Sequence, residues 1–220
     1  MELCEQKNIY RIEGVFPDNI ICGFTKKNIS GLDPQKDFES IKEDDVKSAE
    51  CAYMRQVHSS HVCKTEEPGV FTSDALFSAK PGLMLMVRTA DCLPLLVYDH
   101  ASDSVGVVHM GWRPAHNGIL NNLGIDLSAA TVAAGVGLRK CCYEVGGEFR
   151  HYNTINPFLQ SRQRRLFFDP IAFAKYHLVK QGLRFGKLCD TGVCSYCNEK
   201  FPSFRREHTD QRTLSFIIKT

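Results

Sequence analysis

Leu83-Met84-Leu85-Met86-Val87-Arg88-Thr89-Ala90 runs nearly all apolar and leads directly into Asp91-Cys92-Leu93-Pro94. A strand with one wet face alternates apolar and polar residues, whereas an unbroken apolar run of this length fits a central strand buried on both faces. Cys92 therefore falls at a strand end. Pro94 has no N–H to give a ladder, so a bend is expected there before Leu95-Leu96-Val97-Tyr98 resumes an extended run. A second strand, 104–109, ends just before Gly111, and Pro114 reads as the first turn of a helix running through Ile119, Leu120 and Leu123.

Working outward, residues 9–15 and 20–24 read as extended, 37–48 as helical, and a further strand ends at His58. Val70-Phe71-Thr72 and Ala75-Leu76-Phe77 flank Asp74, and 130–135 looks extended. Gly137 and Cys141-Cys142-Tyr143-Glu144 form a glycine-bearing loop expected to open a helix near Val145. A helix over 170–181 starts on a permitted proline and stops at Gly182, and 214–218 closes the chain as a strand. Strands and helices that alternate with hairpin-like pairs predict a mixed-sheet α/β (α+β) architecture. No Gly/Ser/Pro-rich or single-charge stretch marks a linker, so residues 1–220 are read as one domain.

A formal net charge of +2 is too mild for a nucleic-acid footprint. The one basic cluster, Arg162-Gln163-Arg164-Arg165, leads straight into Leu166-Phe167-Phe168 and reads as a solvated loop face. No signal-peptide core and no membrane-length apolar run is present, so a cytoplasmic protein without a membrane partner is expected. The ten cysteines are accordingly read as thiols. Cys194-x-x-Cys197 with Cys189 nearby has zinc-like spacing but lacks a second ligand pair; Cys4, Cys22, Cys51 and Cys63 show no functional context.

His58, Cys92 and His109 all lie at the ends of strand-like segments. Two imidazoles and a thiolate on rigid elements are what a zinc ion needs when its fourth position stays open. With the first two 34 positions apart and the last two 17, only the fold can bring them together. Taken blind, the same three residues also read as an apolar cysteine and two satisfied histidines. Arg113, near a helix start, adds a guanidinium suited to phosphate or carboxylate. Asp91 and Glu144 are candidate acid/base or metal-orienting groups. Tyr143 and Trp112 offer stacking faces, and Asp74 could orient a ligand or cap a turn.

Gln56-Val57-His58, Ser73-Asp74-Ala75, Thr89-Ala90-Asp91-Cys92-Leu93-Pro94, His109-Met110-Gly111-Trp112-Arg113, Cys141-Cys142-Tyr143-Glu144-Val145-Gly146, and Cys194-Ser195-Tyr196 with Ser203-Phe204-Arg205-Arg206 occur in this order over three quarters of the chain. Together they resemble the YfiH-like family, also called the laccase-domain or purine nucleoside phosphorylase family. The resemblance implies sheets packed together with helices outside, and a catalytic zinc on His58, Cys92 and His109. It implies purine nucleosides (adenosine, inosine, methylthioadenosine) and phosphate as small-molecule partners, with phosphorolysis and adenosine deamination in one pocket and a homodimer as a permitted assembly. Zinc there would polarise water for deamination. Phosphorolysis needs an anion site, for which Arg113 is the first choice and Arg205 or Arg206 the second.

The chain departs from the family pattern at Met110 and Pro114, which replace an alanine and a glycine. At the N-terminal edge Thr25-Lys26-Lys27-Asn28-Ile29-Ser30 replaces a serine-threonine-arginine and a glycine pair. Lys27 in place of an arginine fork is expected to weaken phosphorolysis relative to deamination. Two other readings compete. One is copper-dependent phenol oxidation, against which Met110 directly follows His109 and so points to the opposite strand face. The other is a zinc-stabilised scaffold without turnover, which requires a fourth protein ligand.

Overall fold

In the computed structural model, which describes residues 1–26, 34–41 and 49–220, Leu83–Thr89 forms strand β8 in the interior of a seven-stranded sheet. The sheet runs β1 (Glu2–Glu5), β2 (Ile9–Glu13), β3 (Ile20–Thr25), β16 (Thr213–Lys219), β8, β4 (Glu50–Arg55), β6 (Gly69–Thr72). A six-stranded sheet runs β15 (Leu188–Asp190), β11 (Ala130–Ala134), β9 (Leu93–Asp99), β10 (Ser104–Met110), β7 (Ala75–Ser78), β5 (Val62–Lys64). A small sheet places β14 (Arg165–Phe168) between β12 (Glu144–Val145) and β13 (Leu159–Arg162). β4 pairs in parallel with β8 and β6, β5 with β7, and β11 with β15, while the remaining ladders are antiparallel. The sheets are therefore mixed, as the sequence predicts.

The two large sheets pack face to face, which explains the unbroken apolar runs. Leu83, Leu85 and Val87 of β8 meet Leu96 of β9 and Val105 and Val107 of β10 between the sheets. Met84 and Met86 face the opposite way, against Phe38 and Ile41 of helix α1 (Pro34–Ile41). On the outer face of the second sheet, Leu95, Val97 and Val108 pack with Ala115 of α2 (Trp112–His116) and with Phe173 and Leu178 of α3 (Pro170–Lys180). Central strands thus have no polar face to spare.

Local departures have local causes. Pro94 does not break the chain: it is the second residue of β9, opposite His109, where one missing donor is tolerated near a strand start. The helix expected from Pro114 to Leu123 is the single turn α2 followed by a 3-10 turn, Ile119–Asn121, because Gly118 takes a left-handed φ of 82° between them. Near Val145 the chain forms β12, not a helix, since Glu144 and Val145 pair with Phe167 and Leu166. Helix α3 follows its expected course, with the Asp169 carboxylate capping the Ala172 amide at 3.0 Å. The basic cluster forms the turn between β13 and β14, with Gln163 and Arg164 both at positive φ. The expected helix 37–48 is seen as Pro34–Ile41, and its remainder, 42–48, lies outside the described residues.

Candidate active site

The site forms where the two large sheets meet. β4 ends at Arg55, and the Gln56 side chain continues its pairing: Nε2 donates to the Arg88 carbonyl at 2.8 Å and Oε1 accepts from the Arg88 amide at 3.0 Å. The chain then turns through His58, at φ 58°, and Asp74 holds that turn. Asp74 Oδ1 accepts from the His58 amide at 3.1 Å, and Oδ2 accepts from the Ser59 amide at 2.6 Å and hydroxyl at 2.8 Å. His109 Nδ1 donates to the same Oδ1 at 2.8 Å, which turns its other ring nitrogen toward His58 and Cys92. Asp74 therefore both orients a ligand and caps a turn. Cys92 immediately precedes β9 and follows Asp91, whose φ is 89°. Left-handed backbone at non-glycine residues costs roughly 1–3 kcal/mol each and persists only where the surroundings impose it.

The ligand atoms of His58, Cys92 and His109 all lie within 4.8 Å of one another, and no fourth His, Cys, Asp or Glu joins this group among the described residues. The electrostatics suit a cation. Burial alone would raise the Cys92 thiol, but the imidazoles of His109 and His58 outweigh it and bring the group below its ordinary value. Burial likewise pushes His109 down, and the neighbouring Cys92 and Asp74 more than reverse that. Burial opposes ionisation of Asp74 too, yet hydrogen bonds from His109 and Ser59 hold it at about 2. Two anionic groups thus trap positive charge around one imidazole. Gly111 completes the cradle, since a Cβ there would stand 2.9 Å from Cys92 Sγ and 3.5 Å from His58 Cδ2. The donor set and the space both fit a metal ion.

These three residues line a pocket of about 950 Å³, together with Asp91, Arg113, Tyr143, Glu144 and Arg205. Arg113 is exposed there and stacks over the Trp112 ring at 4.5 Å. Because α2 has only five residues, what Arg113 brings to an anion site is its guanidinium. Asp91 is a hub: Oδ1 accepts from Ser195 Oγ at 2.8 Å and Ser203 Oγ at 2.7 Å, and Oδ2 accepts from the Arg205 amide at 2.7 Å. The Arg205 side chain reaches the Glu144 carbonyl and lies 5.6 Å from the centre of the Tyr143 ring. Glu144 meets Arg165 at 3.3 Å.

Other expected site residues lie elsewhere. Arg206 is absent from the pocket wall; its guanidinium donates to the Ser195, Tyr196 and Phe201 carbonyls and to Glu207, so it braces a loop. Lys26 binds Glu5 at 2.8 Å and the Gln6 carbonyl at 2.6 Å. Lys27 lies outside the described residues. Met110 is buried in the core on the face opposite His109, and it is not part of the pocket wall. Sequence reasoning missed Arg55, Arg88 and Arg212, which add cationic side chains to the wall. Arg88 did carry a signal, a single charge inside an otherwise apolar strand.

Residues 36–220 match the family described as multi-copper polyphenol oxidoreductase laccase. The purine nucleoside phosphorylase of Aquifex aeolicus is 32% identical over 172 residues, covering 74% of this chain and 80% of that protein. The chain belongs to the YfiH-like family. Purine nucleoside phosphorylase YfiH of Escherichia coli is 32% identical over 180 residues, covering 75% of this chain and 72% of that protein. The YfiH-like fold is also that of the Bacillus licheniformis hypothetical protein YfiH, which matches with a TM-score of 0.85 at 19% identity over 98% of both chains. Among the described residues, no helix is long and apolar enough to cross a membrane.

Proposed function

We propose that this YfiH-like protein is a zinc-dependent purine nucleoside phosphorylase that also deaminates adenosine. The carrying observation is that His58, Cys92 and His109 converge on a pocket that also presents arginines and aromatic faces. Zinc bound by these three residues would act as a Lewis acid and lower the pKa of a water molecule. Asp74 fixes the His109 ring, and the imidazoles keep Cys92 in the thiolate form that a soft metal takes.

Arg113 and Arg205 hold phosphate in this reading, with the planar forks that suit its oxygens. Tyr143 and Trp112 give the purine a surface to stack on. Asp91, whose oxygens accept three hydrogen bonds from the Ser195–Arg205 region, is a positioning residue for Arg205, and Glu144 shares that loop contact. The names of the relatives support the phosphorylase half. The cytoplasm as location, and adenosine, inosine and methylthioadenosine as substrates, belong to the same proposal.

Adenosine assayed with and without phosphate tests it. Phosphate-dependent release of adenine together with phosphate-independent formation of inosine is expected. Arg113→Lys should lower the phosphate-dependent rate roughly tenfold, about 1.4 kcal/mol of transition-state binding, while zinc content is unchanged. Stoichiometric copper with oxygen uptake on a phenol, and no turnover of nucleosides, would replace this reading with phenol oxidation.

A further inference from the structure

The structure supplies the ligand pair that Cys194-x-x-Cys197 lacks in sequence. Cys141 and Cys142 lie beside it, and the four sulfur atoms all fall within 4.8 Å of one another. Cys142 Sγ is 3.2 Å and Cys141 Sγ 3.8 Å from Cys197 Sγ. A disulfide would require about 2.05 Å. In a tetrahedral zinc site with Zn–S bonds of about 2.3 Å, neighbouring sulfurs stand about 3.8 Å apart. We propose that Cys141, Cys142, Cys194 and Cys197 form a second metal site, a closed four-thiolate zinc centre separate from the pocket triad.

The surroundings are built for thiolates. Cys194 is buried, which opposes ionisation, but the backbone amides of Cys197, Arg139 and Tyr196 donate to its sulfur and outweigh that burial. Amides converging on the first cysteine of a C-x-x-C turn preorganise it before any metal arrives. Burial and the neighbouring thiols push Cys141 and Cys142 up, and a divalent cation among the four sulfurs would reverse that. Cationic side chains gather at the same loop: Arg162 donates to the Lys140 and Cys141 carbonyls, and Arg205 reaches the Cys142 carbonyl. Their charge offsets the net double negative of a zinc ion with four thiolates. Binding releases the thiol protons to solvent, so affinity rises with pH.

Four protein ligands leave no open position, which makes this a structural centre and not a catalytic one. Its place in the fold gives it a task. Cys141 and Cys142 begin the loop that carries Tyr143 and Glu144 into the pocket, while Cys194 and Cys197 begin the one that carries Ser203 and Arg205. Among the described residues, these two loops are tied by the bridge between Gly137 and Cys194, the Arg139 amide on the Cys194 sulfur and the hydrogen bonds of Arg205. A metal clamp would set the distance between the pocket's aromatic wall and its arginine.

Metal counting with peptide mapping tests the proposal. Zinc-reconstituted wild type should hold two zinc ions per chain, His58→Ala one, and Cys197→Ser one, which separates this centre from the pocket site. The native wild type supplies a second readout that needs no variant. Iodoacetamide should label exposed Cys4 at once but Cys141, Cys142, Cys194 and Cys197 only after chelation. Cobalt in His58→Ala should give intense thiolate-to-metal charge transfer. Rapid labelling of the four in zinc-loaded protein, their recovery as disulfide-linked peptides, or no zinc in reconstituted His58→Ala would each overturn the proposal.

Discussion

Asp74 does the most at the scale of a single residue. One fully buried carboxylate accepts from His109 Nδ1 and from the His58 and Ser59 amides, so it sets the tautomer of one ligand and the backbone of another. Its variant Asp74→Asn keeps the shape but loses the charge, and zinc affinity at the pocket site should fall roughly 10–100-fold, read by competition with a chromophoric chelator. Unchanged affinity would reduce Asp74 to a turn cap. Gly111 is the steric counterpart. Its φ of −75° suits any residue, so space and not conformation demands glycine there. Since an added Cβ meets Cys92 Sγ at 2.9 Å, Gly111→Ala should also weaken zinc binding while far-ultraviolet circular dichroism stays native. If Gly111→Ala binds zinc as tightly as wild type, the sulfur has room to move and the cradle is looser than this geometry implies.

Among elements, strands buried on both faces were the most legible in sequence. β8, β9 and β10 lie where their apolar runs place them, and His109 and Met110 point to opposite faces as period-two geometry demands. Less legible were elements decided by partners distant in sequence. Val145 became a strand because Leu166 stood opposite it, and the helix after Pro114 stopped where Gly118 turned left-handed. The metal-ligand candidates were readable as residue types at strand ends; their convergence was not, because it depends on Asp74 and on two sheets. The second cysteine pair escaped for the same reason, as Cys142 and Cys197 are 55 positions apart. Tight strand packing carries its own prediction. Gly106 in β10 lies under the Phe77 ring, where a Cβ would come within 2.3 Å of ring carbons. Gly106→Ala should cost about 1–3 kcal/mol through overpacking, seen as a lower denaturation midpoint with an unchanged slope. Wild-type stability would mean that Phe77 finds another rotamer without loss.

For the whole molecule, the pocket triad acts as a bridge between layers. His58 follows β4 of the seven-stranded sheet, Cys92 lies in the link from β8 to β9 that crosses between sheets, and His109 belongs to β10 of the six-stranded sheet. Ligands drawn from both sheets do not come together in an unfolded chain, so a zinc ion held by them would add to global stability and not merely to local order. At a free zinc concentration a thousandfold above Kd the gain is about 4 kcal/mol. For a chain of this size that corresponds to roughly 8–16 °C in melting temperature. The four-thiolate cluster would contribute its own increment, so the decisive quantity is a difference: the zinc-induced rise in wild type minus the rise in His58→Ala. His58 is exposed, and its removal should disturb the metal-free fold little. A wild-type rise larger by several degrees is expected by scanning calorimetry. Equal rises in the two proteins would mean that the triad does not hold the sheets together through a metal, and that its convergence serves some other chemistry.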